Sequence, residues 1–245
     1  MEILVINLKR STDRRKSIEQ QLDRLQLPFK FIEGVDAQNF TTEQSAKFEE
    51  GKSAGTHALR PGLFGSSWAH IKVYEHVISN NIPKALVLED DLLIDKEILR
   101  ILKEKWLEEN WWDFVHLGYT PANWDLFISW CKISWQRIKH KPLFMFYALA
   151  KLPYIVILYS FEYIRQQIRS RIAPAPVRFM RPLYMGRGYF ITQEGAKKIM
   201  QIAYPIRYAG DELFNQARVQ SGLRFYGYCP PPLLDDQEGF DSETL

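Results

Sequence analysis

A chain of 245 residues with 46% apolar and 25% charged side chains can bury one α/β core, and its composition excludes disordered, collagenous and disulfide-stapled classes. The two cysteines, Cys131 and Cys229, are too few for a disulfide framework and are not spaced as a zinc site. The net charge of +3 is unevenly spread: residues 131–181 hold ten Lys or Arg against one acid, Glu162, a local +9 that leaves −6 for the remainder.

The chain opens Met-Glu-Ile-Leu-Val-Ile, without the basic start and long apolar run of a signal peptide, so a cytoplasmic location is expected. Residues 3–6 are continuously apolar and β-branched, the pattern of a strand buried on both faces. A polar loop at 9–15 follows, with Ser11 or Thr12 as candidate N-cap for a helix carrying Ile18, Leu22 and Leu25, and Pro28 ends that segment. Residues 29–32 read as a second strand, which makes the opening a right-handed βαβ unit. Thr41 or Thr42 is expected to cap a short helix ending at Gly51, and residues 53–65 read as a flexible loop. From Ser66 the stripe Ala69, Val73, Tyr74, Val77 and Ile78 predicts a helix.

Residues 85–88, Ala-Leu-Val-Leu, predict a buried strand that breaks abruptly into Glu89-Asp90-Asp91. A helix is expected over 95–109 and strands over 114–117 and 183–192. Further helices are expected from Thr192 or Gln193 and from Gly210, and a late strand over 225–228.

In open α/β sheets ligands bind beyond the carboxyl ends of strands, which is where the acidic triplet falls. Adjacent carboxylates repel, and a divalent cation or hydrogen-bond donors offset that repulsion. Mg²⁺ and Mn²⁺ take hard oxygen ligands, commonly one or two carboxylates completed by phosphate and water. The alternative is that Asp90 and Asp91 simply sit at the start of the next helix.

Four segments together resemble glycosyltransferase family 25, which includes lipooligosaccharide galactosyltransferases. They are residues 6–15 with Gly34-Val35-Asp36-Ala37, Gly65-Ser66-Ser67-Trp68-Ala69-His70, the acidic motif at 86–91, and Gly188-Tyr189-Phe190-Ile191-Thr192 with Gly195-Ala196-Lys197-Lys198. The resemblance implies an α/β fold of GT-A, Rossmann-like type: a mixed, mainly parallel sheet flanked by helices, in one domain spanning 1–245. It also implies a UDP-sugar donor, Mn²⁺ or Mg²⁺, and transfer with inversion, most readily of galactose, to a lipooligosaccharide or lipopolysaccharide.

On that resemblance Asp91, with Glu89, is the expected metal ligand, and Asp211 and Glu212 are the candidates for the base that takes the acceptor proton. Donor contacts are expected from Asn7, Leu8, Arg10, Arg14, Asp36, His70, Glu89, Asp90 and Gly188. Arginine suits bidentate phosphate contacts. Each role has a plainer alternative: a solvated basic loop for Arg10 and Arg14, a core histidine for His70, an N-cap for Asp211. No histidine follows His140, so any further ligand is expected from Asp235, Asp236, Gln237 or water.

Residues 143–161 are nearly all apolar but contain Lys151 and Pro153, which predicts two short pieces in place of one membrane span. With basic arms on both sides, the insert at about 122–181 reads as an interfacial element on an anionic inner-membrane surface, with Trp124, Trp130 and Trp135 at headgroup depth. A buried hairpin or a subunit interface is the alternative. Two other functions compete: a sugar nucleotidyltransferase, disfavoured because residues 9–15 contain no glycine for a triphosphate loop, and a binding module without turnover. Apolar blocks among the basic residues argue against a nucleic-acid partner.

Overall fold

The computed structural model describes residues 1–55, 59–119, 131–132, 134–139, 143–172, 174–179, 181–184 and 186–235. Strand β1 (Glu2–Asn7), helix α1 (Thr12–Arg24) and strand β2 (Lys30–Glu33) form the expected parallel βαβ unit, with Leu4 opposite Lys30 and Asn7 opposite Glu33. Ser11 occupies the N-cap position of α1, but its hydroxyl makes no capping bond. Helix α2 (Thr42–Ala54) starts in a capping box between Thr41 and Gln44, which satisfies two otherwise orphaned backbone N–H groups.

Helix α3 (Pro61–Ser79) begins five residues earlier than its apolar stripe predicts. Pro61 is the reason: it suits the first helical position, where its missing N–H costs nothing. The expected loop at 53–65 therefore shrinks, since α2 also runs past Gly51. Gly65 in the first turns of α3 is a packing requirement, because a Cβ there would stand 2.6 Å from the carbonyl oxygen of Val35.

Strand β3 (Lys84–Glu89) lies parallel to β1, with Ile6 opposite Glu89. Then come β4 (Leu92–Leu93), α4 (Glu97–Ile101), a 3₁₀ turn (Lys105–Leu107) and β5 (Phe114–His116). The single helix expected over 95–109 breaks because Trp106 packs edge-on against Trp112 and Phe190, at 5.5 and 5.6 Å between ring centroids, and its indole N–H donates to Glu104.

Helix α5 (Phe144–Ile172) is continuous, contrary to the expectation of two short pieces. Pro153 removes one backbone donor, and the apolar helical runs on either side carry the helix through it. Strands β6 (Ala175–Val177) and β7 (Gly188–Thr192) follow, then α6 (Gln193–Ala203), α7 (Gly210–Gln220), β8 (Phe225–Cys229) and β9 (Leu234–Asp235). Strand β7 is shorter than predicted because the backbone N–H and C=O of Leu183 are both bonded to the side chain of Asn215 in α7, at 3.1 and 2.6 Å.

The main sheet has seven strands in the order β2-β1-β3-β7-β5-β8-β6. β2, β1, β3, β5 and β8 point one way, with β7 and β6 opposed. This is the expected mixed, mainly parallel sheet flanked by helices. Both faces are covered, which explains the fully apolar strands. Leu4, Ala85 and Val87 meet α3, α6 and α7 through Phe64, Tyr74, Ile199 and Phe214. Val5, Leu86 and Leu88 face Ile18, Leu22, Ile98 and Trp112. Each fully buried side chain of this size contributes roughly 1.5–3 kcal/mol.

Candidate active site

Because β1 and β3 are parallel neighbours, Asn7 and the Glu89-Asp90-Asp91 turn emerge side by side at their carboxyl ends. A cleft of about 310 Å³ opens there, walled by Leu8, Arg10 and Arg14 after β1, Gly34, Val35, Ala37 and Gln38 after β2, Arg60, Gly62, Gly65 and Ser66 at the start of α3, and His70, Glu89, Asp90 and Asp91. That volume lies at the lower end of the range for small-ligand sites. Cations from two loops thus face a carboxylate turn across a space fit for a phosphorylated ligand.

The three acids differ. Asp90 is buried, accepts from the Asn7 side-chain amide at 2.6 Å and faces the Arg14 guanidinium at 3.4 Å. Burial pushes its carboxyl up despite Asn7 and Arg14. Glu89 and Asp91 turn toward the cleft, with side chains 27% and 32% exposed. Arg14 also reaches Asp91, at 3.4 Å, and so spans the turn.

His70 joins Glu89 to the core. Its Nε2 lies 3.1 Å from Oε1 of Glu89 and its Nδ1 lies 2.9 Å from the Tyr189 hydroxyl, which is 3.3 Å from that of Tyr74. A carboxylate only accepts, so Nε2 carries the proton toward Glu89, while the Tyr189 hydroxyl donates to that of Tyr74. Burial pushes both tyrosine hydroxyls well up, so they act as neutral hydrogen-bonding groups. His70→Phe frees Glu89 and leaves the Tyr189 hydroxyl with its longer bond to Tyr74. The expected result is a roughly 10–100-fold loss of activity together with about 1–3 kcal/mol of stability, read by turnover and thermal unfolding of the same sample.

The remaining expected residues fall into distinct places. Leu8 and Arg10 line the cleft, and Asp36 holds Arg10 at 3.2 Å on its rim. Burial of Asp36 is outweighed by Asn39, the Gln38 N–H and Arg10, which hold its carboxyl below the usual range. Asn7 is buried beneath the cleft and serves Asp90. Gly188 lies within β7, where a Cβ would stand 2.3 Å from Leu233, so it is a packing glycine away from the cleft. Gly186 is the glycine beside the site, since a Cβ there would stand 3.3 Å from Nε2 of His70.

Asp211 and Glu212 form the first turn of α7 and do not line the cleft. The residue before them, Gly210, abuts its His70 wall: a Cβ there would stand 3.0 Å from Cδ2 of His70. The half-exposed Tyr184 hydroxyl is pushed up by burial and by the charges of Asp211 and Glu212. The alternative N-cap role for Asp211 does not arise, because the cap position is Ala209. Asp236 and Gln237 lie outside the described residues, as do the side chain of Asp235, Trp124 and Trp130. Sequence reasoning gave no site role to Arg60, Tyr74 or Tyr189. A cation placed immediately before a proline-initiated helix was the one available signal, for Arg60.

Residues 1–214 match the model of glycosyltransferase family 25 (LPS biosynthesis protein). The chain belongs to that family. Among relatives, procollagen galactosyltransferase 1-B of Xenopus laevis is 28% identical over 127 residues, 48% of this chain and 21% of that protein. Inactive glycosyltransferase 25 family member 3 of Homo sapiens is 24% identical over 134 residues, 50% of this chain and 22% of that one. The matched part therefore spans about a fifth of each relative's length. A solved glycosyltransferase involved in glycosylation of the major capsid of PBCV-1 aligns over 98% of this chain and 93% of its own, with TM-score 0.40 and 9% identity. Glycosyl transfer is the general chemistry that the family supports.

Proposed function

We propose that this family 25 chain transfers a hexose, galactose first among candidates, from a UDP-hexose to a lipid-anchored oligosaccharide of lipooligosaccharide or lipopolysaccharide type, with inversion at the anomeric carbon. The observation that carries the reading is the cleft itself, where Glu89 and Asp91 face Arg10, Arg14 and Arg60 beyond the carboxyl ends of β1 and β3. The family's description as an LPS biosynthesis protein and the galactosyltransferase names of its relatives support the substrate classes.

The donor set fits Mn²⁺ or Mg²⁺. Glu89 and Asp91 offer hard oxygens to the cleft, and among the described residues no group of three His, Cys, Asp or Glu side chains forms a complete cage. Such ions commonly take one or two carboxylates and fill the remaining positions with phosphate and water. A cation held there supplies positive charge against the departing diphosphate.

The chain's own residues do the rest. Arg10, Arg14 and Arg60 bind diphosphate oxygens in forked geometry. Asn7 and Arg14 fix Asp90, and through it the turn. His70 orients Glu89. The acceptor hydroxyl attacks the anomeric carbon from the face opposite UDP, Asp211 or Glu212 takes its proton, and the C–O bond to the diphosphate breaks to release UDP. The test is UDP release across a panel of UDP-hexoses with a lipooligosaccharide acceptor, with and without Mn²⁺. Metal-dependent release, largest with UDP-galactose, supports the reading; UDP binding without turnover on any acceptor would leave a binding module, and one relative is named inactive.

A further inference from the structure

Helix α5 is built the wrong way round for a helix on a soluble domain. Its inward stripe is Ala148, Leu158, Glu162 and Gln166, all buried, so the charged and amide groups face the protein. Outward it presents Phe146, Leu149, Ile157, Phe161, Ile164 and Ile168, each at least half exposed. Glu162, 1% exposed, is paired with Arg181, itself 8% exposed, and Arg165 donates to the backbone carbonyl of Arg178 at 2.7 Å. These contacts fix which side of the helix is covered.

Charge on the same segment is one-sided. Glu162 is the lone acid in residues 131–181 and is consumed inside by Arg181, whereas Lys132, Arg137, Lys139, Lys151, Arg171 and Arg178 are exposed. Trp135, 62% exposed, lies among them. An apolar face bordered by cations with no exposed carboxylate of the segment beside it complements an anionic bilayer surface: side chains enter the acyl boundary and Lys and Arg meet the headgroups.

We infer that the outer face of α5 is a monotopic membrane-binding surface that seats the enzyme on an anionic bilayer, as on the inner leaflet of a cytoplasmic membrane. The span Phe144–Arg169, 26 residues with mean hydropathy 1.6, is also long and apolar enough to cross one. Crossing requires α5 to leave the domain and to carry Glu162 and Gln166 into hydrocarbon without Arg181, and both flanks are basic, which gives no orientation bias. In-plane insertion keeps every inward contact.

The test uses the full chain with vesicles of phosphatidylcholine alone or mixed with phosphatidylglycerol. The wild type is expected to sediment with the anionic vesicles, less as salt rises, and to be released by alkaline carbonate. Ile157→Asp/Ile164→Asp and, separately, Lys151→Glu/Arg171→Glu are each expected to lower binding roughly tenfold or more, with unfolding temperature and UDP release in solution retained. The charge variant alters only exposed side chains, so it stays informative if the apolar one folds poorly. Four results overturn the inference: no sedimentation of the wild type, unchanged binding of both variants, carbonate-resistant integration that marks a span, or a dimer broken by the apolar variant without vesicle binding. Tighter binding to oligonucleotides than to vesicles would also contradict it. Vesicle binding needs no turnover, so it stands or falls apart from glycosyl transfer.

Discussion

Asp91→Asn is expected to lower turnover of UDP-galactose on the order of 10²–10³-fold while leaving the fold and its thermal stability close to wild type. The two halves of that expectation have separate physical grounds. Asp91 is 32% exposed and its part-buried contact with Arg14 is long, at 3.4 Å, and a long, partly solvent-screened ion pair contributes about 1 kcal/mol. The asparagine keeps the shape and one oxygen but removes the charge that would hold a cation against the diphosphate. Asp90 is the internal contrast. It is buried and tied to Asn7 at 2.6 Å, so its replacement strikes the turn's architecture first. Steady-state kinetics paired with thermal unfolding separates the two carboxylates, and a stability loss in Asp91→Asn as large as its activity loss would count against the assignment.

Asp113→Ala is expected to cost about 3 kcal/mol of stability, or roughly 6–12 °C in Tm for a chain of this size, with the cleft untouched. Asp113 is fully buried at the start of β5 and accepts from Lys198 at 2.7 Å, the Arg224 backbone N–H at 2.8 Å and the Arg224 guanidinium at 2.5 and 3.1 Å. It therefore ties α6 and the entry to β8 to the sheet. The lower end of the range for broken buried pairs applies because Arg224 is 43% exposed and can return to water.

The pH dependence has a definite sign. Burial would raise the Asp113 carboxyl, but Arg224 and Lys198 outweigh it and hold it below the usual value. A depressed folded pKa gives stability that is complete above the unfolded value of about 3.9 and is lost as pH falls through the lower folded value. Acid denaturation of the wild type should include this loss, and the acid limb of Asp113→Ala should be correspondingly flatter. Denaturant unfolding at a series of pH values reads both effects.

Local chemistry made much of this fold legible in the sequence. The apolar runs at β1 and β3, the Thr41 capping box and Thr192 at the start of α6 each carry their signal within a few residues. The acidic triplet could be placed at a strand end for the same reason. What stayed hidden was non-local. The insertion of antiparallel β7 between β3 and β5 depends on pairings such as Leu86 with Phe190, which no local pattern encodes. Asn7 meets Asp90 from 83 residues away and His70 meets Tyr189 from 119, so the buried supports of the turn could not be told from donor contacts. Gly186 and Gly188 both flank Arg187, and only non-local packing separates them: Gly188 lies against Leu233 and Gly186 against His70. Pro153 misled in the other direction: a helix break is the local expectation, and the flanking runs of α5 override it.

The central claim is that the Glu89-Asp90-Asp91 turn holds a cation and the diphosphate of a UDP-hexose in the cleft beside Arg10, Arg14 and Arg60. Calorimetric titration of UDP-galactose into the full chain with Mn²⁺ tests it most directly. The account predicts one site per chain, weakened strongly by chelator and by Asp91→Asn and retained in Ile157→Asp/Ile164→Asp. Binding of equal strength with chelator present and in Asp91→Asn would contradict it.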